Sequence, residues 1–83
     1  MSAHSAVLEF EYDTAESARR VERSIRPELD EIDDDRSQAS VARAGATLAV
    51  TVEATDLTAL RAGLTTWTGF VEVAEQAGGV VAD

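Results

Sequence analysis

Hydrophobic and polar positions along the chain follow two periods, and the switches between them mark its elements. Over residues 6–12, Leu8, Phe10 and Tyr12 fall on one side and Val7, Glu9 and Glu11 on the other, the pattern of a half-buried strand. Asp13 opens a capping-box pattern with Glu16, and Ala18, Val21 and Ile25 then recur at helical spacing. Pro27 ends this helix near Arg26, because its ring disfavours helical geometry at the residue before it. Leu29 and Ile32 are expected to pack the exit beneath the core, Ile32 within an acidic connection over residues 30–35. Two shorter strands follow, over residues 37–43 and 46–54, joined by a two-residue turn at Ala44-Gly45. That turn sets Val41 opposite Leu48 and Ala39 opposite Val50, with the apolar residues on one face. The period then changes for good. Asp56 stands where a helix cap belongs, and Leu57, Leu60, Leu64, Trp67, Val71 and Ala74 make one stripe of the longest helix.

The order strand–helix–strand–strand–helix restricts the topology. If the first helix returns the chain to its starting end, strands one and two run the same way and strand three against both. The expected fold is therefore α+β, a three-stranded antiparallel sheet of order 1-3-2 with both helices on one face. Residues 1–83 read as a single domain with an ordered core of about 6–75 and flexible tails at 1–5 and 76–83. Both outer strands remain open edges, which predicts self-association by strand pairing.

Composition narrows the chemistry. There is no cysteine, so disulfides and thiolate metal sites are excluded. No run is apolar enough to span a bilayer, and Met1-Ser2-Ala3-His4-Ser5 lacks the basic and apolar parts of a signal peptide, so a cytoplasmic location is expected. Sixteen acidic residues face seven basic ones, all arginine, for a net charge of −9. Such a balance argues against nucleic acid at low ionic strength. A lysine-free acidic surface also suits a halophilic cytoplasm, where at ~1 M salt the Debye length is only about 3 Å. On that reading the charge neither supports nor excludes RNA.

Candidate sites are few. The only histidine is His4, and no Ser/His/Asp set, paired-histidine site or phosphate-binding glycine loop occurs, so neither catalysis nor a metal or other cofactor is expected. The acidic connection lacks the EF-hand spacing and its turn glycine, which leaves a solvated loop. Arg19, Arg23 and Arg26 form a stripe on the first helix. They read first, with Arg20, as partners of Glu16 and Glu22 in surface pairs, and second as contacts for RNA phosphates. The long helix carries the stronger signal: between Arg61 and Glu72 it has no charged residue. Ala59, Gly63, Thr66 and Phe70 are small or apolar groups at helical spacing, expected to meet a partner helix, with Arg61 beside the apolar stripe as an interface pair or carbonyl donor. Glycine at 63 and 69 costs roughly 1 kcal/mol each in a helix interior, which close approach of another helix would justify.

At this helix the chain resembles a family. Val52-Glu53-Ala54-Thr55-Asp56-Leu57-Thr58-Ala59-Leu60-Arg61-Ala62 looks like the signature of the small Pcc-type subunit of the KEOPS (EKC) complex, with an acidic residue at the helix start and a Leu-Arg-Ala run. The resemblance extends over nearly the whole chain. It includes the opening strand, the helix ending Ile25-Arg26-Pro27-Glu28, and the acidic, lysine-poor style of halophilic archaeal members. Thr65 and Gly69 depart from the family, which often has asparagine at the first and a basic residue near the second. The resemblance implies a noncatalytic scaffold that forms a homodimer and docks the tRNA threonylcarbamoyltransferase subunit. Through that subunit it would act with the kinase-like one, and it would help to place tRNA, while ATP and metal belong to the partners. Two other classes stand beside it. One is an independent KH-like RNA-binding module, which the missing Gly-x-x-Gly loop disfavours. The other is a ligand-sensing dimer, for which the sequence marks no pocket.

Overall fold

The computed structural model describes residues 3–29 and 36–78, in the order β1 (His4–Glu11), α1 (Ala15–Ile25), β2 (Ser37–Ala44), β3 (Thr47–Ala54) and α2 (Leu57–Gly78). The strands form one antiparallel sheet of order β1-β3-β2, as the element order predicts. The α+β arrangement follows from burying one face of the sheet: α1 packs over β2 and β3, while α2 lies mainly over β3 and β1.

Local chemistry sets each boundary, and three differ from the sequence reading. β1 begins at His4, inside the stretch expected to be a tail, because the Ala3 amide donates to the Ala54 carbonyl and His4 pairs with Ala54. The cap of α1 is Thr14, not Asp13: its Oγ1 accepts from the Ser17 amide at 3.1 Å. Tyr12 is still bound to the sheet through its amide and the Ala46 carbonyl, so the chain needs one further residue before it can turn into a helix. The hairpin turn is Gly45-Ala46 rather than Ala44-Gly45, which sets Val41 opposite Val50 and Ala39 opposite Val52. Gly45 has φ +60°, the left-handed value that glycine supplies at the first position of a II′ turn. The shift is two residues, so the buried face is unchanged.

The core lies between the sheet and the helices. Ala18, Val21 and Ile25 of α1 and Trp67, Val71 and Ala74 of α2 close on Val41, Leu48, Val50 and Val52. Leu29 packs against this cluster, as predicted for the helix exit; Ile32 and the acidic connection lie outside the described residues. Tyr12 is buried too, and its hydroxyl donates to a Glu75 carboxylate oxygen at 2.6 Å, tying the end of β1 to the last turns of α2. That helix runs on to Gly78, beyond the predicted limit of the core.

Candidate interaction surfaces

Asp56 fixes where α2 starts. Its Oδ1 accepts from the Ala59 amide at 2.8 Å, satisfying a free donor of the first turn, and Arg36 pairs with the same carboxylate at 3.1 Å. The Ala59 amide, and after it the Arg36 guanidinium, hold the Asp56 carboxyl below the usual aspartate range.

From that start the helix packs Leu60, Leu64, Trp67, Val71 and Ala74 of the predicted stripe on the core, but its inward face is wider than the stripe and leaves Leu57 at the edge. Ala59 is buried, and a Cβ added at Gly63 would meet Val52 Cγ1 at 2.8 Å, whereas Leu57 is 54 % exposed. Ala59, Gly63, Thr66 and Phe70 therefore do not form one outward face. Ala59 and Gly63 sit against the molecule's own sheet, Phe70 packs partly on the core with its ring edge-on to Trp67, and only Thr66 is exposed. The glycine that the sequence assigns to a partner helix instead lets α2 approach β3. The stripe turns because Trp67, the largest fully buried side chain, takes the centre of the face and carries Leu57 off its edge.

Two flanks remain for partners. On the α1 side, Ser24, Ile25, Phe70, Val73, Ala74 and Ala77 line a groove of about 330 Å³ with Glu28 at its rim. Val73 is 64 % exposed there, between Glu72 and Glu75 in sequence. The sequence reading missed it; an exposed valine among carboxylates was the available signal. On the other flank, Leu64, Thr65, Thr68, Gly69 and Glu72 surround a shallower depression. A Cβ at Gly69 would meet nothing within 4 Å, so no neighbouring element explains that glycine.

The arginines divide sharply. Glu16 pairs with Arg20 at 3.0 Å, and Glu22 takes both Arg26 and Arg43. Arg26, foremost, and Arg43 hold the Glu22 carboxyl below its ordinary value. Arg26 also donates to the Val41 carbonyl, so it serves the joint between α1 and β2 rather than a free stripe with Arg19 and Arg23. Those two and Arg61 are exposed and have no ion-pair partner among the described residues; Arg61 has found neither the pair nor the carbonyl expected of it. Among the described residues no group of carboxylates and histidines is gathered to hold a metal ion. Among the described residues no helix is long and apolar enough to cross a membrane.

Comparison with known proteins gives the arrangement a context. A chain in the crystal structure of the binary complex Gon7–Pcc1 superposes with a TM-score of 0.84, covering 95% of this chain and 96% of that one at 16% identity, which is a likeness of fold. No curated protein sequence matches. The family described as transcription factor Pcc1 matches residues 5–77, nearly the whole described molecule, and the chain belongs to the Pcc1 family.

Proposed function

We propose that this chain is a noncatalytic scaffold subunit of a KEOPS complex that makes threonylcarbamoyladenosine in tRNA. It acts as a homodimer, docks the threonylcarbamoyltransferase subunit, and through it works with the kinase-like subunit. Membership of the Pcc1 family over residues 5–77 carries this reading. The likeness to a chain of a complex that joins Gon7 and Pcc1 supports a role in assembly. The physical chemistry agrees, since Leu57 and Val73 are large apolar side chains left exposed on α2. The α1–α2 groove is the docking site we assign to the transferase, with Phe70 and Val73 along its α2 wall; a helix laid there would cover Val73, which otherwise stands in water. Ala59 and Gly63 act only indirectly, by setting the depth at which α2 sits. Arg61 belongs to the opposite flank.

Direct nucleic-acid reading has less behind it. A phosphate-tracking surface needs clustered cations, and four of the seven arginines are already held by carboxylates. Arg19, Arg23 and Arg61 are left, and the first two, both on α1, are the ones we assign to touch tRNA within an assembly. A halophilic archaeal cytoplasm remains the setting that the charge balance favours.

The test is reconstitution at high salt with a threonylcarbamoyltransferase subunit of the same complex. The tagged chain should retain that subunit, and Val73→Asp should release it while leaving the circular dichroism spectrum unchanged, because the carboxylate would be desolvated unpaired only in the complex. Retention of RNA without any transferase would refute the scaffold reading.

A further inference from the structure

The arginines of this acidic chain are gathered on one side. Five of the seven stand on α1, on its C-terminal cap or on the end of β2 beside it: Arg19, Arg20, Arg23, Arg26 and Arg43. Only two carboxylates, Glu16 and Glu22, lie on α1 with them, which leaves two arginines and fourteen acidic residues to the rest of the chain. The outer side of α1 is thus cationic on a molecule whose net charge is −9.

Within this group, pairing with a carboxylate does not cancel the charge. Glu22 is shared between two guanidiniums, and its side chain is 13 % exposed against 48 % for Arg26, so the cation lies outside the anion. Arg26 bonds Glu22 through Nε and Nη2 and the Val41 carbonyl through Nη2. Arg43 bonds Glu22 through Nε and the Gly45 carbonyl through Nη1. The N–H groups of Arg26 Nη1 and Arg43 Nη2 therefore stay unused among the described residues. Helical spacing continues the row, since Arg19, Arg23 and Arg26 follow at i, i+4 and i+7, the first two exposed and unpaired. Four residues of helix rise about 6 Å, close to the distance between successive phosphates along one nucleic-acid strand.

We infer that Arg19, Arg23, Arg26 and Arg43 form one tract that follows the phosphate backbone of tRNA, with Glu22 fixing two of its four guanidiniums. This rests on the tRNA contact assigned above to Arg19 and Arg23, and extends it across the joint between α1 and β2. The tract fits a polyanion better than it fits a protein. Protein interfaces are centred on buried apolar or aromatic anchors, and the large exposed hydrophobics Val7, Leu57 and Val73 all lie elsewhere. Guanidinium forks match phosphate oxygens two at a time. The groove assigned to the transferase opens on the other side of α1, along Ser24, Ile25 and Glu28, so the two ligands share no residue. Contacts of this kind position the RNA without reading its bases.

The test is the salt dependence of tRNA binding by the chain joined to its transferase subunit, read by fluorescence anisotropy with an unmodified transcript. Each phosphate contact removed should make the slope of log K against log salt shallower by about 0.7–0.9. Arg23→Gln and Arg43→Gln should each show that change, Arg43→Lys should keep the parent slope, and all three should retain the transferase. Arg61→Gln, at an equally exposed and unpaired arginine on α2, should also keep the parent slope. A change at Arg23 with none at Arg43 would overturn the tract while keeping the tRNA contact. An equal change at Arg61 would mean diffuse charge and overturn it as well. Loss of the transferase with unchanged RNA binding would make the tract a protein surface, and a parent complex that binds no tRNA would remove the contact altogether. A chain that retains no transferase would refute the scaffold reading, and the same variants measured on the chain alone would then decide the tract.

Discussion

Gly63 offers the sharpest test of how α2 sits, because two opposed effects meet at one atom. Alanine favours a helix interior over glycine by about 1 kcal/mol. At Gly63, however, the new Cβ would stand 2.8 Å from Val52 Cγ1, closer than such atoms come in real proteins. Val52 is 1 % exposed on the central strand, and its branched side chain has little freedom to turn away. Relieving that overlap should cost about 1–3 kcal/mol. Gly63→Ala is therefore expected to be neutral to destabilising by about 2 kcal/mol once the helix gain is subtracted. Gly69→Ala is the internal control: its Cβ enters open space, so it should stabilise by about 1 kcal/mol. For a chain of this size each kcal/mol moves the melting temperature by about 4–8 °C, so the two variants should separate clearly in thermal melts at one protein concentration. Val52→Ala removes the opposing methyl, and in that background Gly63→Ala should turn stabilising, a coupling of about 1–3 kcal/mol in a double-mutant cycle. If both glycine substitutions raise the melting temperature equally and the coupling is nil, α2 does not rest on β3 through Gly63, and its orientation is wrong.

Three further outcomes follow from side chains already described. Burial, with the Glu75 carboxylate beside it, raises the Tyr12 hydroxyl above its ordinary pKa. The stability this supplies is full below the unfolded value near 10 and is lost as pH rises beyond it, so chemical denaturation from pH 9 to 12 should show a decline that Tyr12→Phe abolishes. Asp56 is shifted the other way, chiefly by the Ala59 amide. Its contribution is present above the unfolded aspartate value near 3.8 and disappears as pH falls through the lower folded one. Asp56→Asn keeps a capping oxygen without the titration, so its acid-limb slope should be shallower, whereas Asp56→Ala should lose stability at neutral pH as well. Finally, Arg26→Ala removes a guanidinium that bonds the Val41 carbonyl and pairs with Glu22, so thermal melting should show a loss of about 1 kcal/mol, and an unchanged melting temperature would contradict that joint between α1 and β2.

The element order, the antiparallel 1-3-2 sheet, the inward face of each strand and the cap at Asp56 were legible in the chain, because each depends on residues close together in sequence. A capping oxygen reaches only the next turn, and a strand's alternation survives even when its hairpin register moves by two, as it did between Val41 and Leu48. Family resemblance was legible for the same reason, since it rests on a continuous run from Val52 to Ala62. For α2 the stripe Leu60, Leu64, Trp67, Val71 and Ala74 was legible, but not how far the buried face extends to Ala59 and Gly63. Its apolar and small residues wrap most of the helix between Arg61 and Glu72, so periodicity allowed several rotations of nearly equal merit. Which one occurs depends on Trp67 entering the core cluster that Leu48 and Val50 belong to, and on Gly63 yielding to Val52 from a distant strand. Only the packed fold brings those residues together. The fates of Arg26 and of Val73 were likewise decided there, one drawn to a strand carbonyl and the other left exposed beside α1, because both depend on how separate elements lie against each other in space.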